Sequence, residues 1–574
     1  MAFFIKQTPQ KNNRVFVQIV NGFYDKKTRN AKQKVYKKLG YLDELELKFK
    51  DPISYYQEIV DKLNEEKKNS LNEKIPVNTE FFHLGHFPII NLLKQLNMSS
   101  IVNGVQTLLQ GKETYSFYDV YEALVCLRMI TPTSKLQSYK NIEQVTFSNP
   151  KFSEAQMYSC IEILGKYDEV IYEGLQSQLN DHYSRNKKKV FFDCTNYYFE
   201  IDKPTSFIKP GPSKEERSNP IIGLGLLLDG DGIPLDYKLY PGNESEKPIY
   251  REIMKDMKEK NNIKGRVIRI ADKGLNCGDN ILDSYINKDG YIFSQSVKGA
   301  KKEVKDWILY EKDYRYLKDN NGEVTFKIKS EIDDQVEISF MFNGEKKKHK
   351  IKQKRIVFWS KDFAIKQAYE REKALEKTNK SLAYESLSKK EKYGFTGKYV
   401  EEIYHDREGE ILEVKKEKYI NQDKVTEDEL YDGYYMLVTS EVDASDEDII
   451  EAYKGLWEIE ESFRITKSLL KTRPVYHSKL DAIRGHFLIC ISTLTLLRII
   501  QKKKLHNKLS ISQIVYSLRK YNCIKIEPNK YQLLYIDDTL DLIAQIYNVK
   551  LNQHYKNEKE KNFLFQKKYT RLEI

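Results

Sequence analysis

The chain has 574 residues, of which 40% are hydrophobic and 12% aromatic, and its formal net charge is +12. This length predicts two to four domains, and the apolar content excludes a wholly disordered chain. The basic excess permits a polyanionic partner without requiring one. The six cysteines never fall in a C-x-x-C pair, so neither a zinc knuckle nor a disulfide framework is predicted. Because the N-terminus lacks a secretory signal and the longest apolar stretch, 487–497, is too short for a membrane span, we expect a cytoplasmic protein.

The N-terminal third predicts strands followed by helices. Strand-like runs occur at Val15–Val20 and Lys34–Leu39. Further along, apolar residues recur at three- and four-residue spacing, as in Leu124–Ile130, which is typical of helices. Pro132 is expected to end that helix.

Residues 190 to 295 have a different pattern, with short apolar runs separated by turns. The run Val190–Cys194 predicts a buried strand that carries one acid, Asp193. The elements predicted after it are a strand at Ile221–Leu228, a strand at Leu235–Tyr240, a helix at Pro248–Lys260 and a strand at Arg266–Ala271. Three strands, a helix and a fourth strand favour the opening of a ribonuclease-H-like mixed sheet.

The next segment alternates in polarity and is predicted to be rich in strands, such as Val324–Lys329 and Val336–Met341. It includes Lys346–Arg355, where seven of ten residues are Lys or Arg and none is acidic. Two interpretations of this run stay open: an exposed edge kept soluble by lysines, or a strand that contacts a phosphate backbone. The sheet is predicted to resume at Gly433–Ser440, and Glu447–Leu470 is predicted to be one long helix.

The predicted fold is therefore α/β, with a ribonuclease-H-like mixed sheet interrupted by a β-rich insertion, a mainly helical N-terminal region and a helical C-terminal region. The predicted segments are 1–50 (small, β-containing), 51–185 (helical), 186–299 (first part of the core), 300–430 (insertion), 431–505 (second part of the core) and 506–574 (C-terminal, helical).

The helix around residue 460 carries a stripe of chemically active side chains. Tyr453, Glu460 and Lys467 are seven residues apart, so on a regular helix they lie nearly above one another, with Trp457 and Arg464 between them. The simplest interpretation is a solvated face with a Glu460–Arg464 ion pair. Aromatic and basic groups around one carboxylate would also suit a metal site next to a phosphate backbone.

Two aspartates have the same double interpretation. Asp193 lies inside an apolar strand, where a carboxylate is costly unless it is paired or bound to a metal. Asp272 directly follows the strand ending at Ala271, where it could also be a turn or capping residue. Two carboxylates from strands and a third from a helix would serve a pair of Mg²⁺ ions, which take oxygen ligands and act together in phosphodiester transfer.

The set of motifs resembles the bacterial insertion-sequence transposases of the DDE class, which carry a Tyr-Arg-Glu-Lys signature. Tyr453, Glu460 and Lys467 match it, and Leu456 replaces its arginine. The segments similar to other motifs of that family are 190–196 and 270–274 around the two aspartates, Tyr240–Glu244, 232–235, Met129–Lys135 and Arg484–His486.

The resemblance implies a DNA transposase that cuts at transposon ends and transfers the freed strand into target DNA. It implies that Asp193, Asp272 and Glu460 are the catalytic and metal-binding residues, with two Mg²⁺ ions for which Mn²⁺ can substitute. The implied partners are double-stranded DNA with terminal inverted repeats and target DNA, bound by a homodimer in a bacterial, nucleoid-associated setting without a membrane. Segment 51–185 is the expected DNA-binding region. The alternatives are a stand-alone ribonuclease-H-like nuclease without strand transfer, and a catalytically inactive DNA-binding repressor.

Five residues are expected to contact DNA. Tyr453, Lys467, Arg464 and Trp457 share the helix stripe with Glu460. Tyr435 lies in the strand before that helix, where hairpin-forming relatives carry a tryptophan that stacks on a flipped base. Tyr435 is therefore a candidate stacking platform, although an ordinary strand aromatic would have the same sequence pattern.

Overall fold

The computed structural model describes residues 3–10, 14–25, 30–71, 81–109, 113–200, 205–211, 219–381, 399–405 and 415–566. The chain divides into two units, Met1–Glu80 and Phe81–Ile574. The first unit has a three-stranded antiparallel sheet, β1 (Phe3–Pro9), β2 (Val15–Asp25) and β3 (Asn30–Tyr41), followed by helices α1 (Leu42–Glu46) and α2 (Pro52–Leu71). Helix α2 thus belongs to the unit that contains the N-terminal strands, whereas the sequence suggested a boundary near residue 50.

The second unit opens with a short strand, β4 (Phe81–His83), and a helical region. Its helices are α3 (Phe87–Gln95), α4 (Met98–Leu108), α5 (Phe117–Ile130), α6 (Lys135–Lys140), α7 (Ile142–Thr146), α8 (Glu154–Lys166) and α9 (Asp168–His182). Ser116 caps α5 by accepting a hydrogen bond from the Asp119 amide, and α5 ends two residues before Pro132. Almost every residue of α5 is buried, because the helix runs through the middle of the core.

A nine-stranded sheet forms the centre of the second unit. Its strands are β5 (Lys189–Tyr198), β6 (Ile221–Asp229), β7 (Pro234–Pro241), β8 (Ile268–Ala271), β9 (Gly290–Gln295), β10 (Arg315–Lys318), β11 (Val324–Phe342), β12 (Glu345–Ser360) and β15 (Tyr434–Thr439), in the spatial order β10-β11-β12-β15-β9-β8-β5-β6-β7. The antiparallel strands β5, β6 and β7 are followed across the sheet by the parallel strands β8 and β9. Helix α10 (Glu246–Lys260) connects β7 to β8, and α11 (Gly278–Ile286) connects β8 to β9. This order is that of a ribonuclease-H-like sheet, which confirms the predicted fold class.

The segment from 300 to 430 extends the central sheet. The predicted pair of strands within 324–341 is one long strand, β11, which pairs with β12 along most of its length. The remaining elements described here are α12 (Lys302–Leu309), α13 (Lys361–Ser381), β13 (Val400–His405), β14 (Lys415–Ile420) and α14 (Gln422–Glu429). The charged sequence from Glu370 to about Lys390 predicts a helix; α13 begins earlier, at Lys361, and residues 382–398 lie outside the described part of the chain.

The basic run in β12 is largely paired with acids. Lys348 and Lys352 form ion pairs with Glu337 and Asp334 of the facing strand. Lys354 is buried and pairs at 2.8 Å with Asp446. These contacts support the interpretation of a strand edge kept soluble by its lysines, with Lys354 as a structural anchor.

The helix predicted at 447–470 is divided into three parts: α15 (Asp446–Lys454), α16 (Trp457–Arg464) and a π-helical turn at Ile465–Leu469. Next comes α17 (Leu480–Ile499), which continues as a π-helical turn to Lys504. This continuous helix is long and apolar enough to cross a membrane. However, 94% of its apolar 18-residue stretch is buried inside the unit, so it is a core helix.

The C-terminal region contains strands as well as helices. Its elements are α18 (Ile511–Lys520), β16 (Asn522–Glu527), β17 (Lys530–Leu533), α19 (Asp538–Ile546), β18 (Tyr555–Asn557) and α20 (Glu558–Gln566). The three short strands form a sheet whose last member is β4, in the order β18-β17-β16-β4. This pairing joins segments more than 400 residues apart, and local sequence patterns carry no information about it.

Candidate active site

The two aspartates predicted to act together lie at neighbouring positions of neighbouring strands. Strands β5 and β8 are parallel, and Phe192 pairs with Ala271. The next residues are Asp193 and Asp272, whose backbones are therefore roughly 4.8 Å apart, the usual spacing between strands. Two residues before them, Phe191 and Ile270 pack into the same core cluster, so both aspartates are on that face of the sheet.

Helix α16 runs along β5 on this face of the sheet. At one end, Gly455 lies so close to the Phe191 ring that a Cβ atom there would be 2.4 Å from it. At the other end, the hydroxyls of Thr466 and Tyr197 are 2.7 Å apart. Glu460 lies between these two contacts, as Asp193 lies between Phe191 and Tyr197. The glycine therefore allows this segment to approach β5, the strand that carries Asp193, closely.

Buried ion pairs explain which glutamate of α16 faces the solvent. Glu458 and Glu461 both pair with Arg498 of α17, at 3.0 and 2.8 Å, and the Arg498 side chain is fully buried. Glu460 is exposed and makes no hydrogen bond or ion pair with any residue that the structure describes. The Glu460–Arg464 pair considered from the sequence does not form, because Arg464 contacts Glu461 at 3.5 Å.

Asp272 is oriented by two hydroxyl groups. Its Oδ1 accepts a hydrogen bond from Ser294 Oγ at 2.6 Å and one from the Tyr453 hydroxyl at 3.3 Å. The Tyr453 and Tyr435 hydroxyls are 2.9 Å apart, which continues the network. Burial raises the pKa of Tyr453, and the neighbouring Tyr435 and the Asp272 carboxylate add to the shift. Both phenols therefore stay protonated and able to donate at neutral pH.

Tyr435 lies close to both Asp272 and Glu460. Burial raises its pKa, hydrogen bonds to Tyr453 and Ser294 oppose the shift, and the two carboxylates raise it further. Its ring stacks on Phe358, with centroids 5.5 Å apart and planes 28° apart. One face of the candidate stacking residue is thus already covered.

Ser294 was not identified from the sequence. It is the one serine or threonine in the apolar strand Tyr291-Ile-Phe-Ser294, and it is almost fully buried. That pattern is a usable signal, because a buried hydroxyl needs a hydrogen-bond partner and β9 is the parallel strand next to β8.

The other residues predicted to contact DNA are arranged around Glu460. The Trp457 side chain is 54% exposed, and Lys502 lies 6.0 Å from its ring. Lys467 Nζ lies 5.5 Å from the Tyr197 ring, next to the strand that carries Asp193. Because the π-helical turn changes the periodicity after Arg464, Lys467 does not continue a straight stripe above Glu460. Leu456, which replaces the signature's arginine, is buried in the core.

The donor set fits an open metal site. Among the described residues, no group of three or more His, Cys, Asp or Glu side chains is close enough to enclose an ion. Mg²⁺ keeps several waters and is commonly held by one or two carboxylates together with substrate phosphates. The adjacent carboxylates of Asp193 and Asp272 supply such a pair of oxygen donors. One Asp193 oxygen also accepts a hydrogen bond from the Cys194 amide at 2.7 Å.

The strand order is that of a ribonuclease-H-like sheet, and two aspartates lie at neighbouring positions of its parallel strands β5 and β8. The transposase DDE domain family matches residues 199–496, just over half of the chain. The chain belongs to this family. The match includes Asp272 and Glu460 and begins six residues after Asp193. The predicted resemblance and the transposase function are thereby confirmed, and the family typically uses divalent metal ions.

Solved structures of transposases are similar to the chain at low identity. The piggyBac transposase synaptic complex with hairpin DNA is 11% identical over 75% of this chain and 79% of that chain, with a TM-score of 0.39. The Mos1 transposase paired-end complex with the left transposon end is 14% identical over 32% and 60% of the two chains, with a TM-score of 0.15. No curated protein matches the sequence. The assignment to the family follows from the domain match.

Proposed function

We propose that this transposase cuts DNA at the ends of its own element and joins the freed 3′-hydroxyl to target DNA, with Asp193, Asp272 and Glu460 as the catalytic residues. The proposal rests on two aspartates at neighbouring positions of parallel strands, together with an exposed glutamate on the helix that packs against the same face of the sheet. Their neighbours support it, since Ser294 and Tyr453 orient Asp272 and buried ion pairs leave Glu460 facing solvent.

Each residue has a distinct task in the proposed reaction. Asp193 and Asp272 would hold the divalent ions, Mg²⁺ or Mn²⁺, and Glu460 would complete the set from the helix. When bound, the ions supply Lewis-acid stabilisation of the attacking and leaving oxygens. The hydrogen bonds from Ser294 and Tyr453 fix the Asp272 carboxylate before DNA arrives, so less ordering is needed at the reaction step.

The proposed DNA partners are the element's terminal inverted repeats and a target duplex, held in a synaptic complex of two protomers. Lys467, beside the Tyr197 ring, and Arg464, exposed on α16, are the proposed phosphate contacts. We place the protein at the bacterial nucleoid, in keeping with its net charge of +12.

The test uses isosteric variants in a cleavage and joining assay on inverted-repeat DNA. Asp193→Asn, Asp272→Asn and Glu460→Gln are each expected to abolish cleavage while DNA binding and folding persist. Glu451→Gln is the matched control, because Glu451 is exposed on α15 and pairs only loosely, at 3.8 Å, with Lys454. Residual cleavage at the control's rate in any one variant would remove that residue from the catalytic set.

Product analysis separates strand transfer from simple cutting. Wild-type protein is expected to give products in which a 3′ end of the element is covalently attached to target DNA. Cut ends without joined products would identify a nuclease, and binding without cutting in the presence of Mg²⁺ would identify a repressor.

A further inference from the structure

A positively charged pocket lies outside the carboxylate site. It has a volume of about 210 Å³ and is formed by the end of α5, the start of α6, the segment 471–477 and α17. Its charged lining residues are Arg128, Lys135, Lys471 and Arg473, and no Asp or Glu lines it among the residues that the structure describes. Such a volume exceeds the roughly 30 Å³ occupied by one water in the liquid and leaves room for a phosphate group.

Lys135 forms the floor of the pocket and is the feature that most needs a ligand. It is buried, and its Nζ has no hydrogen-bond partner among the described residues. A buried ammonium group without a partner is strongly disfavoured. Burial, reinforced by the nearby Arg128 charge, lowers the pKa of Lys135 to about 7. An anion in the pocket would supply the missing partner and restore the charged form.

The surrounding groups add positive potential. Arg128 donates to the carbonyls of Leu470 and Lys471, and its Nε has no partner among the described residues. Burial, with the Lys135 and Arg128 charges, lowers the pKa of His477 to about 4 and that of His486 well below its usual range. Two histidines kept neutral by burial, with the Lys135 and Arg128 charges adding to the effect, are consistent with a pocket of positive potential.

The rim of the pocket leads towards the active site. The Arg473 guanidinium lies 5.6 Å from the ring of Tyr198, at the end of the strand that carries Asp193. Lys471 is exposed at the rim, and Tyr476 is 65% exposed beside it. An aromatic side chain among basic groups is suited to a nucleotide, which has a phosphate to pair and a base to stack.

We propose that this pocket, with Lys135 and Arg128 on its floor and Lys471 and Arg473 on its rim, binds a backbone phosphate of the DNA on which the transposase acts. The proposal rests on the proposed function. It also gives a role to the segments Met129–Lys135 and Arg484–His486, which meet at this pocket although about 350 residues separate them in the chain.

The first experiment uses inorganic phosphate as the probe and thermal unfolding as the readout, at constant ionic strength set with chloride. Phosphate is expected to raise the Tm of wild type but not of Lys135→Met. Lys140→Met is the matched control, because Lys140 is exposed at the other end of α6 and should leave the phosphate response unchanged. Equal protection of Lys135→Met and wild type by phosphate would overturn the assignment of an anion site.

The second experiment measures the binding of an inverted-repeat duplex as a function of salt. Lys135→Met is expected to weaken binding about tenfold or more and to reduce the slope of log K against log [salt] by about 0.9, the loss of one phosphate contact. If phosphate protection is lost in this variant but duplex affinity and slope are unchanged, the occupant is a free anion and the DNA assignment is wrong.

A rim variant keeps the test independent of core folding. Lys471→Gln removes an exposed charge and is expected to reduce duplex affinity and the salt slope in the same direction. A duplex with a neutral methylphosphonate at the contacted backbone position should bind wild type more weakly than the unmodified duplex does. Lys135→Met should bind the modified and unmodified duplexes equally well, and this difference would locate the phosphate. If no backbone position in the repeat shows this difference between the two proteins, the proposal is wrong.

The outcome is separable from that of the proposed function. Asp272→Asn tests catalysis, so it should lose cleavage with normal affinity. Lys135→Met tests the pocket, so it should lose duplex affinity and protection by phosphate, both of which Asp272→Asn should retain.

Discussion

Arg498 is predicted to set the position of Glu460 from the opposite side of its helix. Its guanidinium is fully buried, pairs with Glu458 and Glu461, and donates to the Glu458 carbonyl at 3.0 Å and to Ser462 Oγ at 2.9 Å. The side chains of Glu458 and Glu461 are only 12% and 13% exposed. Arg498→Met would leave two nearly buried carboxylates with Lys502 as the main remaining cation, paired to Glu458. Removing one partner of a buried pair typically costs about 3–5 kcal/mol, and we expect a loss in that range.

The same residue type on the exposed side of the helix provides the control. Arg464 pairs with Glu461 too, but its side chain is 59% exposed and the distance is 3.5 Å. Arg464→Met should therefore cost no more than about 1 kcal/mol. Neutralising both acids in the triple variant Arg498→Met/Glu458→Gln/Glu461→Gln should recover part of the loss, because no buried carboxylate then lacks a partner.

Hydrogen exchange of the α16 amides is the appropriate assay, since it reports the opening free energy of this helix without requiring the whole chain to unfold in one step. Faster exchange in Arg498→Met should accompany a loss of cleavage, as Glu460 lies between the two released glutamates. If Arg498→Met and Arg464→Met exchange alike, the ion pairs do not hold the helix, and the proposed origin of the Glu460 orientation is wrong.

Two further predictions concern aromatic stacking and pH. Tyr435→Ala should spare the first nick but slow second-strand cleavage. Tyr435→Phe keeps the ring that stacks on Phe358 and should cut normally. Equal cleavage rates for both variants and wild type would exclude base stacking at this residue. In the absence of DNA, Lys135→Met should be more stable than wild type, most of all at pH 7 and below. The pKa of Lys135 is about 7 in the folded protein, against a usual value of 10.5. Between these two pH values the unfolded chain binds one proton that the folded protein does not. The stability of wild type therefore increases with rising pH, by up to about 1.4 kcal/mol per pH unit. The groups facing Lys135, which are Arg128, His477, His486 and Cys490, are common to both proteins, so a stability difference that does not narrow between pH 7 and pH 9 would contradict a buried, titrating Lys135.

The sequence alone predicted the strands that carry the two aspartates and the helix that carries Glu460. The apolar runs at 190–194 and 266–271 predicted strands because buried parallel strands need apolar side chains on both faces. An acid inside the first run and one at the end of the second therefore marked Asp193 and Asp272 as exceptional. The spacing around Glu460 likewise predicted a helix, and the ordered motifs predicted the family.

The tertiary structure decided how these elements meet. Strands β10 to β12 join the central sheet through the pairing of β12 with β15. The alternation of polar and apolar residues could not distinguish this arrangement from a separate inserted domain, because the pairing joins distant segments. The break at Gly455 depends on the Phe191 ring that occupies the space of a side chain. The choice of Glu460 as the exposed acid depends on Arg498, about 40 residues further along the chain, and the orientation of Asp272 depends on Ser294 of the neighbouring strand. The periodicity of a sequence shows only which face of a helix or strand is buried. The contacts of Gly455, Glu460 and Asp272 depend on which residues of other elements pack against that face.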